Sequence, residues 1–393
     1  MKSNWITATI DDVCTVVTDG AHNSPKSVEQ GHYMASVKDF TEFGFDFSNC
    51  KQIGEEDYKK LRNQGCVPEK NDILVGKDGA RYFEDIIIYK QDERPALLSS
   101  IAILRADCRK ITPEFLYYTL KSPAVRKDVR DNYGSGSAIP RIVLKDFKRM
   151  PFSFPSIEEQ RKITNLCSAI DAKIQIINAI NENLLQQAQA LYKNRFVDLK
   201  PFDGKMPPDW RLGTVSEIIE LHDSKRIPLS SRERTNLAKI YPYYGATSVM
   251  DYVDRYLFDG IYLLLGEDGT VVDSKGFPIL QYVEGKFWVN NHAHIITGKN
   301  GFTVETLYLL FSLTNVQSIV TGAVQPKISQ ANLNKVSVVI PSEAELSAFN
   351  SITQPIFAQI RNLRAENDRL AATRDTLLPR LMSGELDVSS LDI

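Results

Sequence analysis

The run from Ser156 to Phe196, SIEEQRKITNLCSAIDAKIQIINAINENLLQQAQALYKNRF, has no proline or glycine and places an apolar residue every seven positions, at Ile163, Ile170, Ile177, Leu184 and Leu191. Leu166, Cys167, Ile174, Ile180 and Ala188 widen the stripe, so the run predicts one long helix that buries one face. Ser156 followed by Glu159 is a capping box behind Pro155, in which each side chain satisfies an orphan backbone N–H. At 1.5 Å per residue such a helix is about 60 Å long.

The run occurs twice. Pro140 falls on Pro326 and Pro155 on Pro341 at one shift (326 − 140 = 186, 341 − 155 = 186), and the second copy opens on its own box, Ser342 and Glu345. The same shift carries the seam onto Phe349, Ile356, Leu363, Leu370 and Leu377. Neither stripe can be buried by its own helix, which predicts that the two pack on each other as a coiled-coil-like pair.

The repeat extends over what precedes each helix. Trp5-x3-Thr9-Ile10-x2-Val13 recurs as Trp210-x3-Thr214-Val215-x2-Ile218, and Gly76-Lys77-Asp78-Gly79 recurs as Gly266-Glu267-Asp268-Gly269. Pro113 to Tyr117 matches Val304 to Tyr308, and Gly136 to Arg141 matches Gly322 to Lys327. Short β-type runs such as Asp72 to Val75, Ile86 to Tyr89 and Ile101 to Leu104 alternate with turn-rich loops, and Thr112 to Leu120 has the form of a helix with proline at its first position. The fold class expected is mixed α/β, one unit of globular domain plus long helix written twice. Its expected parts are a first domain over 1–154, a helix over 155–198, a Pro/Gly linker over 199–209, a second domain over 210–340, a helix over 341–381 and a tail over 382–393.

Chain length then constrains the geometry. A domain of this size has a radius of gyration of about 14 Å, too small to carry the chain back along the first helix. The second helix is therefore expected to run antiparallel to the first, with a pseudo-twofold axis relating the halves, the symmetry of a duplex backbone.

With 393 residues, 43% hydrophobic and 24% charged, the chain can form two sizeable cores. No apolar run approaches a membrane span, and Met1-Lys2-Ser3-Asn4-Trp5 opens no signal peptide, so a cytoplasmic protein with no membrane partner is expected. The five cysteines are widely spaced without CxxC, which supports neither a disulfide framework nor a zinc ribbon. A formal net charge of −2 excludes a chain that is basic throughout but leaves local basic faces, such as Arg141 to Arg149 and Lys225 to Arg234.

Catalytic constellations are missing. There is no GxxxxGK[ST], HExxH or GxSxG, the tetrapeptide of amino-methylating enzymes is absent, and His292-Ala293-His294 has no evident third ligand, so no metal is expected. The two glycine turns read as structural punctuation after strands. Residue types that contact base edges and phosphates do sit in the loops: His22, Asn23, Lys77, Arg81 and Arg141 in the first half, and Lys225, Arg226, Tyr243, Tyr244, Thr247, Asn291, His292 and Lys327 in the second. Equal frameworks carrying different loops suggest two modules doing one job on two targets. A helical scaffold with two protein- or glycan-binding domains is the alternative. A nuclease or methyltransferase acting alone has no motif to support it.

Over its whole length the chain resembles the specificity subunit of type I restriction-modification enzymes. The resemblance rests on Pro-Tyr-Tyr-Gly-Ala-Thr at 242–247, Gly-Glu-Asp-Gly at 266–269, Phe-Trp-Val-Asn-Asn-His-Ala-His at 287–294, Pro-Ser-Ile-Glu-Glu-Gln at 155–160 and Leu-Leu-Pro-Arg-Leu-Met-Ser-Gly-Glu-Leu at 377–386. It implies two target-recognition domains with curved mixed sheets, each reading half of a split site in double-stranded DNA, joined by two antiparallel helices that set the gap. It also implies two modification (methyltransferase) subunits that carry S-adenosylmethionine, and restriction subunits that use ATP and Mg, with no cofactor in this chain. The first half lacks the Tyr-Tyr-Gly and Asn-Asn-His pieces.

Overall fold

The computed structural model describes residues 5–79, 81–134, 140–322 and 324–386. Part of the Gly136 to Arg141 match and residues 387–393 of the expected tail lie outside the described residues. The chain divides into two compact units, 1–177 with 366–393, and 178–365. Each unit takes in one globular body and a length of both long helices.

In the first unit a four-stranded antiparallel sheet has the order β2-β8-β5-β6, formed by β2 (Cys14–Asp19), β8 (Ile101–Ala106), β5 (Ile73–Gly76) and β6 (Ile86–Ile88). A smaller mixed sheet has the order β4-β3-β7, from β4 (Lys51–Ile53), β3 (His32–Ala35) and β7 (Ala96–Leu97), with β3 and β7 parallel. Strand β5 reads as an unbroken apolar run because both its faces are covered. Ile73 and Val75 pack with Phe115 and Leu116 of the helix Pro113–Lys121, while Leu74 packs with Ala35, Phe45 and Tyr89 on the small-sheet side. That helix begins as expected, the Thr112 side chain accepting from the Phe115 N–H at 3.1 Å with proline in its first turn.

The second unit repeats these layers. Its antiparallel sheet has the order β11-β18-β15-β16, from β11 (Ile219–Leu221), β18 (Ala293–Gly298), β15 (Tyr262–Gly266) and β16 (Leu280–Val283). The small mixed sheet has the order β13-β12-β17-β14, from β13 (Val249–Val253), β12 (Tyr241–Tyr244), β17 (Lys286–Val289) and β14 (Phe258–Asp259). In each unit a two-stranded ribbon ties the start of the body to the entry of a long helix, β1 (Ile6–Thr9) with β9 (Pro151–Phe154), and β10 (Arg211–Thr214) with β19 (Ser337–Ile340). The mixed α/β architecture, written twice, is what the repeat predicts.

The first long helix spans Ile157–Tyr192 and continues as a wide turn over Lys193–Val197; the second spans Glu343–Met382. Within the first unit Asp171 pairs with Arg374 at 2.7 Å and Lys173 with Glu366 at 2.5 Å. In the second unit Arg195 pairs with Glu345, while Ala188 shares a cluster with Phe349 and Phe357. Rising numbers on one helix thus meet falling numbers on the other in each unit, so the segments are antiparallel there.

The seven-residue seam needs correction. Ile163, Ile177, Phe349 and Leu363 are buried, Ile170, Leu184, Ile356, Leu370 and Leu377 half-buried, and Leu191 is 40% exposed, as is Ile180 at 43%. An unsupercoiled helix drifts about 20° per heptad, hence about 80° between Ile163 and Leu191. The buried stripe instead steps through Ile163, Cys167, Ile174, Ile177, Ala188 and Tyr192, following 3.6 residues per turn.

The helix starts are docked differently in the two units. Gln160 is fully buried: its Oε1 accepts from the Thr112 N–H at 2.8 Å and its Nε2 donates to the carbonyls of Lys110 and Pro155. Its partner at the 186-residue shift, Leu346, packs as a hydrophobe.

Candidate nucleic-acid interface

The two glycine turns end the central strands β5 and β15 and have the same backbone geometry. Gly79 donates to Pro140 O at 2.9 Å and Gly269 to Pro326 O at 3.0 Å; Ile142 donates to Lys77 O, and Ile328 to Glu267 O. Asp78 bridges Arg141 as Asp268 bridges Lys327. Gly79 and Gly269 take φ of 98° and 85°, which glycine adopts without a Cβ penalty. Each turn is thereby stitched to the segment that leads into the β-strand before a long helix.

Side chains at matching positions differ in charge. In the first half Asp19 ends β2 and pairs with Lys77 at 3.3 Å, both nearly buried, while His22, three residues later, meets Asp19 at 3.3 Å from the surface. In the second half Asp223 stands just beyond β11, Glu267 replaces the lysine, and Arg226, again three residues after the aspartate, donates to Glu267 at 2.5 Å and to Ala293 O at 2.8 Å. Lys327 reaches the other Glu267 oxygen at 3.1 Å. In the strand register Asp19 faces Ala102, and the equivalent place in β18 is His294, which is bonded to Asp223 at 2.6 Å. The lysine-to-glutamate exchange is thus matched by an added arginine and histidine.

Burial opposes ionisation of both acids, yet both are held below their usual range. For Asp223 the His294 hydrogen bond and charge, with the Ile295 N–H and Gln330, outweigh burial; for Glu267 the Arg226 hydrogen bond, His294 and Lys327 do. Asp223, Glu267 and His294 are, among the described residues, the trio close enough to share a cation. The Arg226 guanidinium already holds Glu267, and both His294 ring nitrogens are engaged, so the arrangement is an ion-pair network rather than a metal site. His292 and His294 do not act together, since His292 bonds Asp268.

The other nominated residues distribute as follows. Lys225, Thr247, Asn291 and Lys327 are exposed, and the Gly245 carbonyl accepts from Gln281 of β16 at 2.9 Å, which brings the 245–248 turn beside that strand. Tyr244 is half-buried and packs edge-on to Phe287. Tyr243 is 1% exposed, its hydroxyl held by Leu229 and its ring covered by Arg234, which makes it a support for the loop and not a contact surface. Lys77 and Arg226 are likewise structural cations in buried pairs. In the first half His22, Asn23 and Arg141 are exposed, and Arg81 is exposed but paired with Asp85 at 2.7 Å. Sequence reasoning did not select Asp19, Asp223 or Gln330. The recurring three-residue interval from an aspartate to a basic residue was the available signal.

This charge exchange makes a prediction. Lys77→Glu in the first half places a new carboxylate beside Asp19 and Asp78 without the second half's compensating cations, and should cost about 3 kcal/mol in denaturant unfolding. A loss below about 1 kcal/mol would show that His22 and solvent suffice.

The sequence profile described as "Type I restriction modification DNA specificity domain" matches residues 2–186 and again 207–370. The chain belongs to that family. The MjaIX specificity subunit of Methanocaldococcus jannaschii is 26% identical over 309 residues, covering 72% of this chain and 71% of the relative. The HindI specificity subunit of Haemophilus influenzae is 20% identical over 87% of this chain and 90% of its own. The crystal structure of the type I restriction-modification S subunit from M. genitalium shares the fold, with a TM-score of 0.52, 19% identity and 96% of each chain covered. Each profile match takes in one body and most of the long helix that follows it. A type I specificity subunit is the non-catalytic, DNA-recognising member of its enzyme complex, in accord with a face built from donors and ion pairs.

Proposed function

We propose that the chain reads a bipartite double-stranded DNA site, one half-site per globular body, while the helix pair sets the gap and docks two methyltransferase subunits. The observation that carries this reading is the duplicated turn, of one backbone geometry but different side chains, which suits two modules addressing different bases. Lys225, Thr247, Asn291, His292 and Lys327 in the second half, and His22, Asn23 and Arg141 in the first, are the contact residues this reading nominates. The partner modification subunits supply S-adenosylmethionine chemistry, restriction subunits supply ATP and Mg chemistry, and the assembly works in the cytoplasm. Selection of duplexes from a random library by the chain with its modification subunits tests the reading. A two-part motif with a fixed gap is expected, and a single continuous motif would defeat it.

Phosphate contacts should make binding steeply salt-dependent. Lys225 is exposed and has no ion-pair partner among the described residues, so Lys225→Ala should weaken binding to all duplexes alike and make the salt slope shallower by about one. An altered sequence preference at unchanged slope would place Lys225 on a base instead.

A further inference from the structure

We propose that His294 is a positioning residue, an imidazolium that locks the 327–330 segment onto the central sheet and makes recognition by the second half, but not the first, depend on pH. The proposal rests on the DNA-reading role assigned above.

His294 is fully buried, with Nδ1 2.6 Å from Asp223 Oδ2 and Nε2 2.8 Å from the Ile328 carbonyl oxygen. Both partners accept hydrogen bonds, so both ring nitrogens must donate, and a ring that donates twice is cationic. Asp223 is itself committed as an acceptor, receiving the Ile295 N–H at 2.8 Å and Gln330 Nε2 at 2.5 Å. A neutral ring would turn one nitrogen lone pair against either the carboxylate or the carbonyl. Flipping the ring does not help, because each side presents an acceptor.

The locked segment is the one that reaches solvent. Ile328 follows Lys327, whose backbone pairs with Thr321 through bonds of 2.7 and 2.8 Å, and Val324 is 99% exposed. Gln330 ties the far side of that segment to the same aspartate. Releasing His294 therefore loosens the segment that presents Lys327.

The charged neighbours of the ring are Asp223 from the β11 side, Glu267 at 3.6 Å from the β15 turn, and, bonded to Glu267, Arg226 and Lys327. Just ahead of the strand His292 pairs with Asp268, and His222, beside Asp223, bonds Thr297. Asp223 and Glu267 are both held below the usual carboxylate range, and imidazole is the side-chain type in this network that changes charge near neutral pH. A proton held by two acceptors favours the locked form at low pH, and the lock is lost as pH rises. The first half has Ala102 in this place, and its His22 is a solvent-exposed partner of Asp19, which Lys77 already neutralises.

Two measurements test this with the full chain. Ring ¹⁵N spectra of histidine-labelled protein, with the signal assigned by its loss in His294→Gln, should show both His294 nitrogens protonated at neutral pH. Affinity is also followed against pH for duplexes in which one or the other half of the selected site is scrambled. Raising pH from about 6 to about 9 should weaken binding through the second half about tenfold and leave the first within about twofold. His294→Gln, which has one donor group where two are needed, should bind the second half about tenfold more weakly at pH 6 and lose the pH dependence. A singly protonated ring at neutral pH, equal pH dependence of both halves, or an unchanged profile in His294→Gln overturns the proposal. The control His222→Gln must retain the fall; if that variant abolishes it, the ring bonded to Thr297 and not the lock is responsible. A chain that binds neither half at any pH defeats the DNA-reading role itself, while the ring spectrum, recorded without DNA, still decides whether His294 holds two acceptors.

Discussion

Matched insertions of four residues in the two long helices, after Ile177 and after Ala365 where the compact units divide, should widen the gap between the half-sites by one or two base pairs. Four residues add about 6 Å and nearly one full turn, against 3.4 Å per base pair of duplex. The half-site sequences should not change, because neither globular body is touched. Two residues in each helix would instead turn the following segment by about 200° and should weaken binding at every gap. The position of the insertion matters: near Asn194 it would separate Tyr192 from Phe196, and both rings pack on Phe349, at 5.7 and 4.8 Å. Selection from a library randomised in gap length reads the result. If the four-residue variant keeps the parental gap, the helices are not the ruler.

Asp171→Ala should be the most damaging single substitution in the first unit, lowering its stability by about 3–5 kcal/mol. Asp171 is buried on the first long helix, where it accepts from the Tyr118 hydroxyl at 2.7 Å and from Arg374 of the second long helix at 2.7 Å. Removing it strands a buried hydroxyl and a guanidinium, a greater cost than the favourable energy the pair supplies. Arg374 also touches Asp375 at 2.9 Å and Glu42 at 3.5 Å, both well exposed to solvent. Urea unfolding followed by amide exchange in the first unit measures the loss. A change below about 1 kcal/mol would mean that these outer carboxylates hold Arg374 on their own.

The second unit solves the same problem with other residues. There Glu305 accepts from Tyr282 at 2.7 Å, Gln354 at 2.7 Å and Arg361 at 3.1 Å, and none of these corresponds to Asp171, Tyr118 or Arg374 under the repeat. Helix-to-body docking was therefore legible as an apolar stripe, but its polar anchors were not. An isolated aspartate or glutamine in a helical run has the same local signature whether it faces solvent or is buried. Gln160 shows this most plainly, being a surface residue by type and a fully buried connector by position.

Among the nominated contact residues the same limit appears. Tyr243 and Tyr244 are adjacent in one apolar-polar alternation, yet one is enclosed against Trp288 and Leu229 while the other remains half-open. Lys77 and Arg141 are both basic residues on one stitched turn, yet Lys77 faces inward to Asp19 and Arg141 lies exposed.

The sequence alone determined the duplication, the two long helices, the mixed α/β bodies and the paired glycine turns. Each of these is written in short-range chemistry: periodicity, and proline and glycine placement. Only the tertiary structure decided which charges face one another. Asp19 meets Lys77, and Asp223 meets His294 and Gln330, across separations of 58 to 107 residues, through sheet register that no local pattern encodes. The face of a helix that stays buried was decided at the same level, because a stripe 20° off per heptad looks regular in sequence and turns Leu191 to solvent over four repeats.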